Sequence, residues 1–329
     1  MATYKELKGI NVQARDSDPT ALEGDVWYNS GTSKLKMYTY AAGTWASGGT
    51  LNTGRMTGTS ARNAPATASL ITGGETSPPT STTATETYDG TSWTEESGDL
   101  NLARSEMGGA GTATSALCIS GWNVANDAYN NEVESYDGSS WTEGPNVNTA
   151  RGEGEACGTQ TAALFFIGGS PNKTNSEEWN GSAWAEGNDA NSAGVYCGGA
   201  GIQTAALVFA RAPTPVAQHT ESYDGTSWTE LNDLNADAYN GGSFGIQTAA
   251  VNAGGDNAAT PRKLTVEEWD GSSWTEVNNV SVARMSTFAS ASGGISAGYI
   301  TGGQIATAGM TTATEEWTQA LAAQTIAFD

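Results

Sequence analysis

Four arginines that recur in the repeated units are the residues whose type and position could bind a ligand. They are Arg55, Arg104, Arg151 and Arg284, and each opens a predicted β-strand. Guanidinium groups gathered around one opening would bind a carboxylate, a sulfate or an acidic sugar. Alternatively, each arginine pairs with a carboxylate of its own repeat. Both interpretations stay open at the level of sequence, with pairing preferred.

Carboxylates recur as well, each one or two positions before an aromatic residue. They are Glu86, Glu134, Glu178, Glu221, Glu268 and Glu316. A catalytic pair breaks the symmetry of a repeat, so this periodicity argues against a glycosidase. The single histidine, His219, lies in the predicted loop APTPVAQHT, and the chain has no GxSxG motif to support a Ser-His-Asp triad. We predict no catalytic residue, no metal site and no cofactor.

The charge balance and the apolar pattern limit the classes of partner. With 14 basic and 36 acidic residues the formal net charge is -22, which repels phosphate backbones and argues against nucleic-acid binding. The N-terminal residues lack an apolar signal region, and no run of 18 apolar residues occurs. We therefore expect synthesis in the cytoplasm without membrane insertion. The spacing of the three cysteines predicts neither a disulfide nor a metal site.

A repeated unit positions all of these residues. The octapeptide YDGTSWTE occurs at 88–95 and again at 223–230, with near-copies between and after them. Aligned on the second aromatic residue, the units are 48, 48, 43, 44 and 46 residues apart, counted from Trp45 to Trp274. That period is typical of four-stranded propeller blades. Six apolar runs, one per unit, predict six blades, with seven less favoured.

The octapeptide itself is predicted to be a β-hairpin. Asp-Gly tolerates positive φ and reverses the chain, and the flanking aromatic residues then pack together. This assigns a structural role to the blade aromatics, which are Tyr88, Trp93, Tyr136, Trp141, Trp179, Trp184, Tyr223, Trp228, Trp269 and Trp274.

The unit resembles the kelch repeat over roughly residues 51–319. The resemblance is carried by an arginine on the first strand, an apolar strand ending in Gly-Gly, and the paired aromatics. It implies an all-β, kelch-like β-propeller whose first strands are innermost, with the arginines near the channel mouth. The second and fourth units depart from it at Gly121-Trp122 and Ala210-Arg211, and the fourth and fifth lack the first-strand arginine. We expect those blades to be irregular at the same face.

The two ends of the repeat region are complementary. KLKMYTYAAGTWAS at 34–47 reads as a third and fourth strand, and the last unit lacks its fourth strand. An N-terminal strand that completes the last blade would remove open edges. The competing candidate is TIAFD at the C-terminus. We therefore predict an attachment segment at 1–33 and a propeller at 34–329.

The stretch EGDVWYNSGTSKLKMYTYAAGTW is similar to segments of phage tail-fibre and related virion proteins, and the Gly-rich units resemble structural proteins of marine bacteriophages. These resemblances imply a non-enzymatic virion protein: a tail fibre, tail tip or head decoration that binds other virion proteins through the N-terminal segment. It would act in an oligomeric assembly and would recognise a host-surface glycan or protein. A free lectin-like propeller is the alternative, and a glycosidase-type hydrolase is third.

Overall fold

The computed structural model describes residues 12–22, 24–213, 215–257, 259, 262–291, 293–305 and 309–326. The chain forms two compact units. The first comprises Met1–Thr44 together with Thr318–Asp329, and the second comprises Trp45–Trp317.

In the second unit, the described residues form six four-stranded sheets, called blades 1 to 6 in chain order. Each is given from its innermost strand outward. Blade 1 is Thr59–Ser60, Ser69–Thr72, Thr85–Tyr88 and Trp93–Glu95. Blade 2 is Gly108–Thr112, Ser115–Asn123, Ala128–Tyr136 and Trp141–Gly144. Blade 3 is Glu155–Thr159, Ala162–Gly168, Lys173–Trp179 and Trp184–Glu186. Blade 4 is Gly198–Ile202, Ala205–Phe209, Glu221–Tyr223 and Trp228–Glu230. Blade 5 is Gly242–Ile246, Ala249–Ala253, Val266–Trp269 and Trp274–Val277. Blade 6 is Phe288–Ser290, Ala297–Thr301, Thr314–Thr318 and Thr44–Ser47.

The innermost strands contact one another in a closed order, from blade 1 through blade 6 and back to blade 1. This is the arrangement of a β-propeller, whose radial repetition leaves only short edges. Apolar second strands such as Ala162–Gly168, almost entirely buried, fill the space between neighbouring sheets.

The ring is closed by the N-terminal strand Thr44–Ser47, which lies beside Thr314–Thr318 as the outer strand of blade 6. Trp45 packs on Trp317 with ring centroids 5.1 Å apart, which reproduces the aromatic pair of the other blades from the two ends of the repeat region. The prediction that an N-terminal strand completes the last blade is confirmed. The competing TIAFD is described only as far as Ile326, and its Thr325 ends a strand of the first unit.

The first unit is a separate sheet in the order Gln13–Arg15, Val26–Asn29, Lys34–Tyr40 and Leu321–Thr325. Its core contains Trp27, which packs on Tyr38 with ring centroids 4.7 Å apart. The predicted boundary after residue 33 is therefore corrected, because Val26–Asn29 pairs directly with Lys34–Tyr40 and cannot be divided from it. The attachment role of this end of the chain stays a prediction, and residues 1–11 lie outside the described part.

The repeated octapeptide is a hairpin turn fastened by its own aspartate. Asp137 Oδ1 accepts the amide N–H groups of Ser139 and Ser140 at 2.9 Å each, and Gly138 has a φ of 96°. The Ser139 hydroxyl and these amides hold the pKa of Asp137 at about 2. Equivalent turns occur at Asp89, Asn180, Asp224 and Asp270.

These turns bring the two aromatic residues of each unit together. The ring centroids are 4.8, 5.1, 5.4, 5.0 and 5.5 Å apart for Tyr88–Trp93, Tyr136–Trp141, Trp179–Trp184, Tyr223–Trp228 and Trp269–Trp274. All ten side chains are buried, so the repetition of the octapeptide serves packing.

Candidate functional site at the mouth of the central channel

The four predicted arginines lie inside the blades. Arg151, with no exposed surface, places Nη1 2.5 Å from Glu177 Oε1 and also donates to the carbonyl oxygens of Ile167 and Phe165. The other three are equally buried, at 2.6, 3.2 and 2.6 Å from their partners in the pairs Arg55–Glu86, Arg104–Glu134 and Arg284–Glu315. The guanidiniums pair with a carboxylate of their own blade, as the interpretation preferred from the sequence states, and the alternative of an open anion-binding ring at the channel mouth is corrected.

The partner carboxylates anchor the polar linkers between blades. Glu177 Oε2 accepts both the backbone N–H and the side-chain amide of Asn148, at 2.6 and 2.9 Å. The same pairing occurs in Asn52–Glu86, Asn101–Glu134, Asn191–Glu221 and Asn235–Glu267. Of the six predicted periodic carboxylates, Glu86, Glu134 and Glu221 are the ones that bind the linker of their blade. In the other three blades the residue before the predicted one, Glu177, Glu267 or Glu315, has this role. Because side chains alternate along a strand, Glu178 and Glu316 point elsewhere and accept from the hydroxyls of Tyr223 and Tyr88.

Blade 4 retains the ion pair although its first strand lacks the arginine. Arg211, which follows the second strand Ala205–Phe209, places Nη1 2.7 Å from Glu221 Oε1. Gly194 occupies the vacated position, and a Cβ there would lie 2.8 Å from Arg211 Cδ. The glycine at the usual arginine position, Gly194, thus leaves the space that the additional arginine, Arg211, fills. In blade 5, Ala238 takes the arginine position and its carbonyl accepts from Asn252 Nδ2 at 3.0 Å.

The doubled glycines join neighbouring blades. Gly74 donates its N–H to the carbonyl of Arg104 at 3.0 Å, and Gly303 donates to that of Arg55 at 2.8 Å. A Cβ at Gly74, whose φ is 90°, would lie 2.4 Å from Met56 O. Only glycine fits such a close approach.

One backbone ring encircles the channel. Two positions after each arginine position stands a residue with a φ between 55° and 61°. We call these residues the rim ring: Thr57, Glu106, Glu153, Tyr196, Asn240 and Ser286. Each donates its N–H to the carbonyl of the rim residue in the preceding blade, over 2.5 to 3.2 Å, and Thr57 donates to Ser286. Six hydrogen bonds therefore close on themselves around the mouth.

The rim ring surrounds a narrow funnel of about 80 Å³ that opens to solvent. Its floor is Arg62, which is 2.7 Å from Glu155 and donates to Gly199 O and Ser243 Oγ at 3.1 and 2.7 Å. Arg62 belongs to the connection 61–68 of blade 1, which replaces the short turns of blades 2 to 5. Because the connection lies at the far end of the innermost strand from the rim, it narrows the channel from the opposite side.

Two carboxylates from neighbouring blades share the funnel wall. Burial raises the pKa of Glu106 to about 8, and the charges of Glu153 and Glu75 add to this effect. Burial raises the pKa values of Tyr129 and Tyr196, and the nearby carboxylate of Glu153 adds to this effect. A carboxyl group that is protonated near pH 7 therefore shares the funnel wall with a second carboxyl group from the next blade.

The rim residues were missed from the sequence, although a signal was present. The repeats keep the same backbone at this position, yet its side chain differs in nearly every blade, being Thr, Glu, Glu, Tyr, Asn and Ser in order. A position at which geometry repeats and chemistry varies is where a symmetric scaffold can carry a specific site.

Other candidate centres are few within the described ranges. No group of three His, Cys, Asp or Glu side chains there is placed to hold a metal ion. His219 lies just after a short 3₁₀ turn, with Nδ1 3.2 Å from the hydroxyl of Ser192. No helix in the described part is long and apolar enough to cross a membrane.

The fold and the channel define the chain as a β-propeller protein. A solved structure titled "Structure of YjhT" is similar to it, with a TM-score of 0.67 and 11% sequence identity, over 83% of this chain and 99% of the other. At that identity the likeness shows the fold alone. No protein-family model matches the chain, and no curated protein does.

Proposed function

We propose that the chain is a non-enzymatic structural protein of a bacteriophage virion, with the first unit as its attachment to the particle and the propeller as its displayed part. The observation that carries this proposal is that the two units are built differently. In the propeller, the recurring charged residues pair with one another inside the blades, whereas an N-terminal and a C-terminal segment of the chain form a separate sheet in the first unit.

The frame supports a display role because it is rigid and repeats itself. Ion pairs without solvent contact hold the strands of each blade together, and a closed ring of backbone hydrogen bonds joins each blade to the next. The connections between strands are left free to vary on both faces, and a rigid scaffold with variable loops suits recognition. A glycan or protein of the host surface, or a neighbouring virion protein, is the partner we propose.

Mass spectrometry of gradient-purified phage particles from the source sample tests the proposal. The expected result is this chain in the particle fractions at a constant ratio to the major capsid protein. A ratio near one supports head decoration, and a few copies per particle support a tail position. As a control, recombinant protein added to a particle-free extract should not sediment in those fractions. Absence of the chain from particles would overturn the proposal.

A lectin-like module outside any particle is the second candidate, and the polar funnel favours it specifically. Hydroxyl, amide and carboxylate groups converge there around one opening, as they do in sugar sites. Saturable binding of a neutral sugar at the rim, together with absence from particles, would favour this candidate.

A further inference from the structure

We propose that the connection 61–68 of blade 1 is a central clasp, which fills the channel below the rim ring and ties blade 1 to each of the other five blades. The clasp is a conformational device of the fold, and it does not depend on whether the chain belongs to a particle. In blades 2 to 5 the first two strands are joined by two residues, whereas this connection has eight. Its additional length brings both side-chain and backbone groups into the channel.

Arg62 ties the clasp to the three blades on the opposite side of the channel. Its Nη2 donates to Gly199 O in blade 4 and Ser243 Oγ in blade 5, at 3.1 and 2.7 Å. The same atom lies 2.7 Å from Glu155 Oε2 in blade 3. All three partners belong to innermost strands, so the side chain spans the channel. The channel is therefore a blind funnel that opens at the rim ring.

Backbone groups of the clasp bind the two neighbouring blades. Asn63 donates its N–H to the carbonyl of Gly111 in blade 2 at 2.9 Å. Toward blade 6, Ala64 donates its N–H to Ser290 Oγ at 3.3 Å, and that hydroxyl lies 2.7 Å from the carbonyl oxygen of Ala61. Four consecutive residues of the clasp thus reach all five of the other blades.

Burial makes these contacts costly to break. Ala61, Ala64 and Ser290 have no exposed surface, and Ser243 is 1% exposed. The side chain of Arg62 is 10% exposed. A buried polar group that loses its partner keeps the cost of its desolvation. The clasp therefore cannot leave the channel without a cost in free energy at several blades at once.

The clasp gives the ring a second closure at its centre. The first closure is at the circumference, where the outer strand Thr44–Ser47 completes blade 6. Both closures act on the seam between blades 6 and 1, which is crossed by the hydrogen bond from Thr57 N–H to Ser286 O. Loss of either closure alone should leave the seam closed, whereas loss of both should open the seam before the rest of the ring.

Hydrogen exchange of the full chain tests the clasp by comparing two rim amides. Thr57 N–H crosses the seam, whereas Tyr196 N–H is bonded to Glu153 O between blades 3 and 4. In the parent, in Arg62→Met and in Trp45→Ala, the two amides should have equal free energies of opening. In the double variant Arg62→Met/Trp45→Ala, the seam amide should exchange about tenfold faster than the other or more, after correction for intrinsic rates.

Two further variants complete the test in the Trp45→Ala background. Ser290→Ala removes the contact of the clasp with blade 6 without stranding a charge, and it should also release the Thr57 amide first. Arg15→Met, which removes an exposed guanidinium of the first unit, should not. Earlier exchange of Thr57 in either single variant, Arg62→Met or Trp45→Ala, would overturn the proposal. So would equal exchange of the two amides in the double variants that lack a clasp contact.

Discussion

Removing one member of the Arg151–Glu177 pair should cost a large part of the free energy of unfolding. Arg151→Met leaves the carboxylate of Glu177 buried without a counter-charge and frees the carbonyls of Ile167 and Phe165. Breaking a buried pair in this way costs about 3–5 kcal/mol, out of about 5–15 kcal/mol for a typical protein.

The reverse change, Glu177→Leu, should cost a similar amount, because it strands Arg151 and the amide groups of Asn148. The double variant should be less destabilised than the sum of the two by about 1–3 kcal/mol, since neither charge is then left alone. Urea denaturation followed by tryptophan fluorescence gives these free energies. Lys173→Met, which removes a cation at the start of a blade 3 strand, is the control and should stay within about 0.5 kcal/mol of the parent.

Additive costs in the double variant would refute the reasoning, since they would show that the two side chains do not interact. The interpretation of the arginines as a ligand site makes a different prediction. It requires sulfate to raise the melting temperature through these residues and Arg151→Met to abolish that rise while the fold stays stable. We expect the stability loss instead.

Three further changes have predicted outcomes. Trp184 Nε1 is buried and has no partner among the described residues, whereas the equivalent tryptophans donate to a Ser or Thr at the position that Val133 takes in blade 2. Val133→Thr should therefore raise the free energy of unfolding by up to about 1 kcal/mol in urea denaturation. Gly194→Ala should lower the melting temperature through a cost of about 1–3 kcal/mol, because its Cβ would lie within 2.9 Å of three Arg211 carbons. The pKa of Glu106 is raised to about 8 in the folded protein. Between the unfolded pKa and pH 8 the folded state therefore keeps a proton on Glu106 that the unfolded state has lost, so the contribution of Glu106 to stability is complete below the unfolded pKa and is lost as pH rises through 8. Stability should therefore fall by up to about 1.4 kcal/mol per pH unit, and Glu106→Gln should flatten that slope in melts from pH 5 to 9.

Matched variants check each of these results. Thr85→Val removes the acceptor of Trp141 Nε1 and should destabilise, the opposite of Val133→Thr. Gly309→Ala adds a Cβ with nothing within 4 Å and should leave the melting temperature unchanged. Glu276→Gln should keep the pH slope of the parent. If a matched variant gave the result expected of the variant that it controls, the contact behind that prediction would be contradicted.

Much of the fold could be predicted from the sequence because each blade repeats the same local physics. The Asp-Gly turn, the aromatic pair and the apolar second strand are short-range features, and their period is typical of a propeller. Closure by Thr44–Ser47 could be predicted for the same reason, since the signature is divided between Trp45 and Trp317. The strand Lys34–Tyr40 was misplaced because a strand alone does not show which sheet it joins.

The site could not be predicted to the same extent, because it depends on burial and on contacts between blades. An arginine that recurs once per unit has the same sequence pattern whether it faces a channel or a carboxylate inside the sheet. The exchange of Arg211 for the arginine missing at Gly194 joins a residue before the first strand of blade 4 to one after its second strand, and no local pattern links them. The rim residues are identified only once the backbone ring is known.

Hydrogen exchange of the six rim amides is the measurement that tests the closed ring most directly. If each rim N–H is bonded to the preceding blade as the structure shows, the amides of Thr57, Glu106, Glu153, Tyr196, Asn240 and Ser286 should share one free energy of opening, that of global unfolding, once each rate is corrected for its intrinsic exchange rate. Trp45→Ala, which weakens closure, should accelerate all six together. Six unrelated free energies of opening, or exchange at the unprotected rate at any one of these amides in the parent protein, would contradict a closed ring and with it the funnel that the ring surrounds.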